Sequence, residues 1–443
     1  MTQERRARTL VVGAGQAAIS LVTALRELGD TGPVVLVGDE PEPPYERPPL
    51  SKSYLRGEHD RASLVFHDAS WFADRGVELV TGDAVVGISR DLTGGRATTN
   101  SGRTLEFDRL ALTTGAANRT LPVADARHEA EPGSPVATTG LHSIRTLADA
   151  DRLAPELRRA REVVVVGGGF IGLEIAAGAR LLGADVMVVE VAPRLLDRAV
   201  SPELADAVRQ AHERRGTRVR LRAGAVRVVV EDGRARGVEL TDGTTLPADV
   251  VVVGIGVVPR TELAAQLGLL VEPRGIVVDR NAVASDGATV AAGDCAVGPN
   301  PFGRGLGGLT RLESVAHATD QARAAAAALA GHPAAYDRVP WFWSDQGDLR
   351  LQMAGLPHGA DRTVLRGDVA AERFSLLSYR DGLLVAVESV GSPADYLAVK
   401  RALEKGMTIE ADAAADTAVP LKRLITEAPA PGPSRRARRH TLR

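Results

Sequence analysis

Cysteine is almost absent from this chain. Cys295 is the only cysteine among 443 residues, so the chain cannot form an intramolecular disulfide, a C-x-x-C redox pair or a four-thiolate iron–sulfur cluster. Enzymes that work through their own dithiol are therefore excluded, whatever the fold. We interpret Cys295 as an inert, small side chain rather than a nucleophile.

Excess charge of one sign, metal-ligand patterns and long apolar runs are also scarce. The formal net charge is -2, too close to zero for a global attraction to nucleic acid or an anionic membrane. The nine histidines show no metal-ligand spacing, so we expect no metal site. A basic start and an apolar stretch suggest a signal peptide, but Gly13 and Gly15 interrupt that stretch where a strand would turn into a helix. We therefore expect a cytoplasmic protein with no nucleic-acid or membrane partner.

Two glycine-rich turns are the most informative feature that is present. In each, an apolar strand leads into a tight turn whose backbone can approach a pyrophosphate, and a helix then begins with free N–H groups facing the phosphates. The turn positions are Gly13 and Gly15 with Ala18 in the third place, and Gly167, Gly169 and Gly172. One chain with two such turns can bind two dinucleotides, and the simplest interpretation is a flavin beside a nicotinamide.

An acidic residue follows each turn at the spacing that a ribose contact requires. Asp39 and Glu190 each close the next apolar strand, about two dozen residues after the first glycine of their turn. The Glu190 carboxylate can accept hydrogen bonds from both ribose hydroxyls of NADH but would repel a 2′-phosphate. Arg194 could soften that repulsion. The sequence therefore favours NADH over NADPH.

The order of apolar segments predicts the fold class and the domains. Valine-rich strands alternate with alanine- and leucine-rich helices, which predicts an α/β fold with parallel sheets, and the length predicts two or three domains. We predict a split FAD-binding domain, an inserted NAD-binding domain, a C-terminal domain and a disordered tail. Their predicted ranges are 1–117 with 247–332, then 118–246, 333–408 and 409–443.

Several further motifs make the sequence recognisable in combination. They are YERPPLSK at 45–52, LTTG at 112–115, AGD at 292–294, RLESV at 311–315 and VPWFWSDQ at 339–346. With the two glycine turns, they resemble the FAD-dependent, NADH-linked ferredoxin reductases that serve bacterial oxygenases and cytochromes P450. The resemblance extends over about residues 8–408.

This resemblance implies an architecture similar to that of glutathione reductase. Two Rossmann-type nucleotide-binding domains would be followed by a C-terminal α+β domain that caps the flavin. The residues that would contact FAD are Gly13, Gly15, Ala18, Asp39, Lys52, Val85, Arg145, Asp294 and Val315. The second turn and Glu190 would bind NADH.

Three residues are candidates for a catalytic role. Lys52 is one of only four lysines against fifty arginines, and it lies in a proline-fixed segment. We expect it to pair with Glu174 and to place a cation near flavin N5. Trp343 is expected either to shield one face of the flavin on the electron route or to be a core aromatic.

His317 replaces the asparagine usual in the family, which leaves a surface role or a partner contact open.

The expected reaction is transfer of hydride from NADH to FAD, followed by transfer of single electrons to a separate [2Fe–2S] ferredoxin that feeds a cytochrome P450 or a Rieske oxygenase. The shortage of cysteine requires that the cluster belong to another chain. Candidate docking residues for an acidic ferredoxin are Arg323, Lys400, Arg401 and Lys405. Alternatives are a rubredoxin reductase, an NADH oxidase, or a flavin-binding redox sensor or scaffold like apoptosis-inducing factor.

Overall fold

A computed structural model describes residues 7–91, 94–125, 138–302 and 308–428. These residues form two compact units: the first extends to Arg338 and includes Phe342–Arg350, and the second comprises Val339–Trp341 and the chain from Leu351 onward. Within the described ranges, no helix has the length and apolarity needed to cross a bilayer.

The first unit contains two parallel sheets of the Rossmann type, which confirms the predicted fold class. The strand order in the first sheet is Val290–Ala291, Arg109–Leu112, Thr9–Val12, Val34–Val37 and Val77–Val80. Thr9–Val12 and Val34–Val37 are buried along their whole length, as expected for central strands covered on both faces. The helices Gln16–Glu27 and Val315–Leu329 pack against each other and cover one face.

The second sheet has the same arrangement. Its strand order is Leu141–His142, Val250–Val253, Glu162–Val166, Asp185–Glu190 and Arg218–Leu221. The helices of this region are Leu147–Leu157, Phe170–Leu181 and Pro202–Arg214. The predicted domain boundary at 246/247 is wrong, because Val250–Val253 pairs with Glu162–Val166 inside this sheet. The run of valines is the next parallel strand rather than the start of the return to the first sheet.

The return of the chain is marked by shorter pairings. Val257–Pro259 pairs with Ala116–Asn118, and Val290–Ala291 then joins the first sheet beside Arg109–Leu112. Antiparallel strands flank the two parallel sheets. One set consists of Val85–Arg90, Gly95–Thr99 and Thr104–Phe107. A second set consists of Ala225–Glu231, Arg234–Leu240 and Thr245–Pro247, and Val123–Asp125 pairs in parallel with the first of these strands. The third set begins with Val271–Glu272, which pairs with Gly275–Val277. Ala296–Pro299 pairs with Gly275–Val277 and Leu309–Thr310.

Short helices complete the first unit. They are Pro48–Ser51, Ser53–Arg56, Ala62–Leu64, Ala69–Asp74 and Glu262–Gln266. The strand Trp341–Gln346 follows the last long helix, and its residues from Phe342 onward pack with this unit. The predicted start of a separate domain at residue 333 therefore does not match the structure.

The second unit is built on antiparallel strands. Their order is Leu349–Gly355, Leu383–Val390, Arg373–Arg380 and Arg362–Asp368. The helix Pro393–Glu404 packs against Leu383–Val390. The mixture of sheet and helix agrees with the predicted α+β class.

Part of the predicted disordered tail is folded. Ile425–Glu427 pairs with Met407–Ile409, and the short helices Ala411–Ala414 and Leu421–Arg423 lie between them. Ile409 and Leu421 are buried, so this polar-looking segment supplies apolar side chains to the core. The prediction of disorder is therefore wrong for residues 409–428; residues 429–443 lie outside the described residues.

One buried arginine anchors this segment. Arg366 donates to the Asp395 carboxylate at 3.1 Å and to the backbone carbonyls of Ala414, Asp416 and Val419, at 3.1, 2.5 and 3.0 Å. Only 6% of its side chain is exposed. A buried guanidinium whose donors are satisfied in this way holds the returning chain against the sheet.

We therefore expect Arg366→Met to destabilise the second unit. The substitution leaves a carboxylate and three carbonyls without their donor, which typically costs about 3 kcal/mol. Arg362→Met, on the same strand, is the matched control, because Arg362 pairs with Asp412 at the surface and should change stability little. Thermal unfolding of both variants tests this. Equal losses would show that Arg366 is not the anchor.

Candidate functional site

A cavity of about 930 Å³ opens between the two glycine turns within the first unit. This volume lies near the upper end of the about 300–1,000 Å³ that ligand sites span. The predicted site residues that line it are Gly13, Gly15, Asp39, Lys52, Arg145, Gly167, Gly169, Glu174, Glu190, Asp294, Val315 and Trp343. Ala18, Val85 and Gly172 lie outside the lining. Val85 instead packs against the core of the first sheet.

The first glycine turn brings two backbone segments into close contact. Gly13 has φ +103°, and a Cβ there would lie 2.2 Å from the carbonyl oxygen of Thr113. Thr113 Oγ1 donates to the carbonyls of Val12 and Gly13, which holds the turn closed. Gly15, at the start of the helix, has open space where its Cβ would be. The free helix N-terminus therefore faces the cavity with room for a phosphate.

The second turn repeats this construction. Gly167 has φ +109°, and a Cβ there would lie 2.3 Å from the Gly254 carbonyl oxygen. Gly169 again has open space at the helix start. Gly172 differs from its counterpart Ala18, because a Cβ on Gly172 would lie 2.2 Å from the Gly167 carbonyl oxygen. The third residue of each motif, Ala18 or Gly172, thus allows the helix to pack closely against its turn and does not line the cavity.

The two ribose-site acids have different partners. Asp39 forms an ion pair with Arg260 at 2.6 Å. Burial acts to raise the pKa of Asp39, but the hydrogen bond and charge of Arg260 outweigh it, so the pKa lies below its usual value. Glu190 accepts hydrogen bonds from the backbone N–H groups of Gly168 and Ala192, at 2.7 and 2.8 Å. Both carboxylates are thereby held at the cavity wall.

The predicted pair between Lys52 and Glu174 is present. Lys52 Nζ lies 2.8 Å from Glu174 Oε2, and the glutamate side chain is 3% exposed. Ser51 Oγ donates to the same carboxylate oxygen at 2.5 Å. Lys52 also donates to the carbonyl of Pro48 at 3.2 Å, within the proline-fixed turn. The segment thus delivers a cation to the cavity and neutralises a buried carboxylate.

A second ion pair lies across the cavity. Arg145 donates to Asp294 Oδ2 at 2.9 Å, and Arg47 donates to the backbone carbonyl of Arg145. Arg311 donates to the Asp294 carbonyl at 3.3 Å. These contacts join the proline-fixed segment to the Gly-Asp turn after Val290–Ala291.

The helix Val315–Leu329 points its N-terminus at the cavity. Ser314 caps it by accepting from the His317 N–H at 3.1 Å, and Val315 lines the cavity. His317 is 3% exposed, and Nδ1 lies 3.0 Å from the Tyr336 hydroxyl. Burial lowers the pKa of His317 to about 4, so the ring is neutral at pH 7. The surface or partner role left open for His317 is therefore wrong.

Aromatic side chains form another part of the wall. Phe342 and Trp343 line the cavity, and Phe342 packs on Phe170 with ring centroids 4.5 Å apart. Trp343 thus lies at the cavity rather than in a closed core. Cys295 is fully buried, and burial raises the pKa of its thiol, which agrees with an inert role.

The predicted docking residues lie on the surface of their own units. Arg323 pairs with Glu27 at 3.6 Å and is 57% exposed. Lys400 lies 4.7 Å from the centroid of the Trp341 ring and pairs with Glu404 at 3.5 Å. Arg401 lies in the last turn of the same helix, and Lys405 is its C-cap residue.

Three residues at the site were missed from the sequence. Arg260 reaches Asp39, while Ser51 and Ser344 donate to Glu174. Ser51 stands next to Lys52 in a recognised motif, so the adjacent hydroxyl was an available signal. Ser344 likewise follows Trp343 in the recognised motif at 339–346, whereas Arg260 carried no such signal, since Asp39 lies 221 residues away in sequence.

Family comparisons cover most of the chain. The model described as pyridine nucleotide-disulphide oxidoreductase matches residues 7–322, and the model described as reductase C-terminal matches residues 341–425. Rhodocoxin reductase of Rhodococcus erythropolis is 44% identical over 416 residues, which is 94% of each chain. Putidaredoxin reductase of Pseudomonas putida is 35% identical over 424 residues, covering 95% of this chain and 97% of the relative.

Solved structures agree with these sequence relatives. The ferredoxin reductase for the CYP199A2 system from Rhodopseudomonas palustris superposes with a TM-score of 0.87 at 40% identity, covering 94% of this chain and 99% of that one. The covalent complex of putidaredoxin reductase with putidaredoxin gives a TM-score of 0.88 at 34% identity, covering 95% and 98%.

The close approach at the second turn predicts a difference between two glycines of one helix. Gly172→Ala forces a methyl group against a backbone oxygen, and we expect a loss of about 1–3 kcal/mol. Gly178→Ala is the matched control, because no described atom outside its own helix backbone lies within 4 Å of the place a Cβ would take, and alanine favours the helix by about 0.5–1 kcal/mol. Chemical denaturation measures both. A Gly172→Ala protein as stable as the control would contradict the assigned contact.

Proposed function

The chain belongs to the pyridine nucleotide-disulphide oxidoreductase family, and from this premise we propose that it is a ferredoxin reductase. It takes hydride from NADH onto FAD and passes single electrons to a separate [2Fe–2S] ferredoxin, which supplies a cytochrome P450 or a Rieske oxygenase. Relatives named as reductases of rhodocoxin, putidaredoxin and an anthranilate dioxygenase system support this. The single cysteine means that disulphide chemistry, which the family name suggests, does not apply.

The observation that carries the proposal is the pair of helix N-termini that face one cavity. Gly15 and Gly169 each leave open space at a helix start, where a side chain would obstruct a pyrophosphate. An acid stands beside each turn. This arrangement fits two dinucleotides, one with its pyrophosphate at each turn.

FAD is assigned to the first turn and NADH to the second. The residues proposed to hold FAD are Gly13, Gly15, Asp39, Lys52, Arg145, Asp294 and Val315, with Ala18 and Val85 in supporting positions. Those proposed to hold NADH are Gly167, Gly169 and Glu190, with Gly172 supporting the turn. When bound, FAD accepts hydride from the nicotinamide and releases the electrons one at a time.

The protein's contribution is positioning and charge. Lys52 holds a positive charge at the cavity, and Glu174 fixes where that charge stands. The N-terminus of Val315–Leu329 directs a positive dipole end to the same space, which favours negative charge there. Trp343 forms part of the cavity wall, where it would shield one face of a bound flavin. No group of the chain needs to donate or accept a proton in the hydride step.

The ferredoxin is proposed to dock through basic side chains. Arg323 is exposed and held only by a surface pair, while Lys400, Arg401 and Lys405 stand at the end of one helix. Contacts of this kind raise association rates and weaken with salt. An acidic ferredoxin is the partner that basic side chains of this kind fit.

Ferredoxin dependence is the direct test of the function. We expect rapid NADH-dependent reduction of cytochrome c only when a [2Fe–2S] ferredoxin is added, with a rate that falls as salt is raised. The control omits ferredoxin and contains the same flavin load. Equal rates with and without every ferredoxin of a panel, or transfer to rubredoxin alone, would contradict the proposal.

Nucleotide selectivity depends on the Glu190 charge. In Glu190→Gln we expect the ratio of kcat/KM for NADH to that for NADPH to fall about tenfold, because repulsion of the 2′-phosphate is lost. Glu231→Gln is the matched control, since Glu231 also ends a strand but lies outside the cavity lining. An unchanged ratio in Glu190→Gln would show that another group sets the preference.

A further inference from the structure

A line of buried hydrogen bonds leads from Glu174 away from the cavity. Ser344 Oγ donates to Glu174 Oε1 at 2.6 Å, and Gln346 Nε2 donates to Ser344 Oγ at 3.2 Å. His212 Nε2 lies 2.7 Å from Gln346 Oε1. All four side chains are buried, with exposures between 0% and 3%. Water does not replace these bonds when one of them is lost.

Every bond in this line has the same direction. Because the Gln346 amide nitrogen faces Ser344, its oxygen faces His212 and accepts from Nε2–H. Ser344 accepts from Gln346, so its own hydrogen is free to go to Glu174. The line therefore ends on an acceptor that carries a full charge. A buried carboxylate requires such donors, and hydrogen bonds to a charged group are the strong ones.

The same residues fix the strand that carries Trp343. Side chains alternate along the strand Trp341–Gln346, so Ser344 and Gln346 share one face and Trp343 has the other. The first face is tied to the helices Phe170–Leu181 and Pro202–Arg214 through Glu174 and His212.

A second tie holds the same strand. Arg215 Nε donates to Asp348 Oδ1 at 2.7 Å, just beyond the end of the strand. This pair is open to solvent, with 77% of the Asp348 side chain exposed, so the buried line through His212 is the stronger of the two ties.

We propose that Ser344, Gln346 and His212 are positioning residues for hydride transfer. They hold the Glu174 carboxylate, and with it the Lys52 ammonium, and they fix Trp343 at the cavity. This inference rests on the proposed function and goes beyond it, because it assigns a role to three residues that do not reach the reacting atoms. A displacement of about 1 Å at such a site can cost about a hundredfold in rate.

The test compares two buried serines in FAD-loaded protein. Ser344→Ala removes a donor to Glu174. Ser375→Ala is the matched control, because Ser375 is also fully buried on a strand and its hydroxyl pairs with Ser389 at 2.8 Å in the second unit. Three quantities are measured: the limiting rate of flavin reduction by NADH without oxygen, the dissociation constant of NADH, and the visible circular dichroism of bound FAD.

In Ser344→Ala we expect the limiting rate to fall about tenfold or more, the loss typical of one hydrogen bond to a charged group. The dissociation constant of NADH should stay within about twofold, since the second turn is untouched, while the visible circular dichroism changes. Ser344→Thr keeps a hydroxyl and should recover most of the rate. Ser375→Ala should match the wild type in all three.

A distal variant keeps the test decisive if Ser344→Ala does not fold. His212→Phe keeps a ring of similar size and removes the donor that stands three hydrogen bonds away from Glu174. It should change the rate and the dichroism in the same direction, by less. No difference from Ser375→Ala in either quantity would overturn the inference.

Failure of the proposed function has a different signature. In that case NADH would not reduce the flavin of the wild-type protein. The visible circular dichroism of Ser344→Ala against Ser375→Ala then decides the positioning role alone: a change confined to Ser344→Ala supports it, and identical spectra overturn it.

Discussion

The buried ion pair between Lys52 and Glu174 is the interaction on which the cavity depends. Lys52 comes from the proline-fixed segment, and Glu174 comes from the helix behind the second glycine turn, so their 2.8 Å contact joins the two nucleotide-binding regions. A carboxylate that is 3% exposed is stable only when charge and hydrogen bonds compensate it. Ser51 and Ser344 complete that compensation from opposite sides. Three stretches far apart in sequence therefore meet at one carboxylate.

A second constraint is the backbone contact inside each glycine turn. Gly13 approaches Thr113, and Gly167 approaches Gly254, in both cases the segment that follows a neighbouring parallel strand. Both ends of the cavity are thus formed by a glycine turn that packs closely against the segment after a neighbouring strand. The acids beside the turns differ, since Asp39 is held by the Arg260 side chain and Glu190 by backbone N–H groups. The Arg260 side chain is 43% exposed and has room to exchange partners when a ribose arrives, whereas backbone donors keep Glu190 in one orientation.

Local sequence patterns predicted much of this architecture. Contacts between residues far apart in the sequence could not be predicted from such patterns. The glycine turns and their acids lie within about thirty residues of each other, so strand, turn and helix could be recognised together. The strand Val250–Val253 was misassigned because a valine run fits either sheet, and only pairing with Glu162–Val166 decides between them. The folded segment 409–428 was missed because its core contribution depends on Arg366, some fifty residues earlier. The roles proposed for the catalytic and cofactor-binding residues, Val85 among them, and for the basic docking residues stay predictions.

Hydride transfer requires that one cavity bring NADH and FAD together. Anaerobic titration of the purified, FAD-loaded protein with NADH measures this most directly. We predict complete loss of the oxidised flavin absorbance at one equivalent of NADH, with NADPH far less effective at the same concentration. A flavin that stays oxidised under excess NADH would contradict the account.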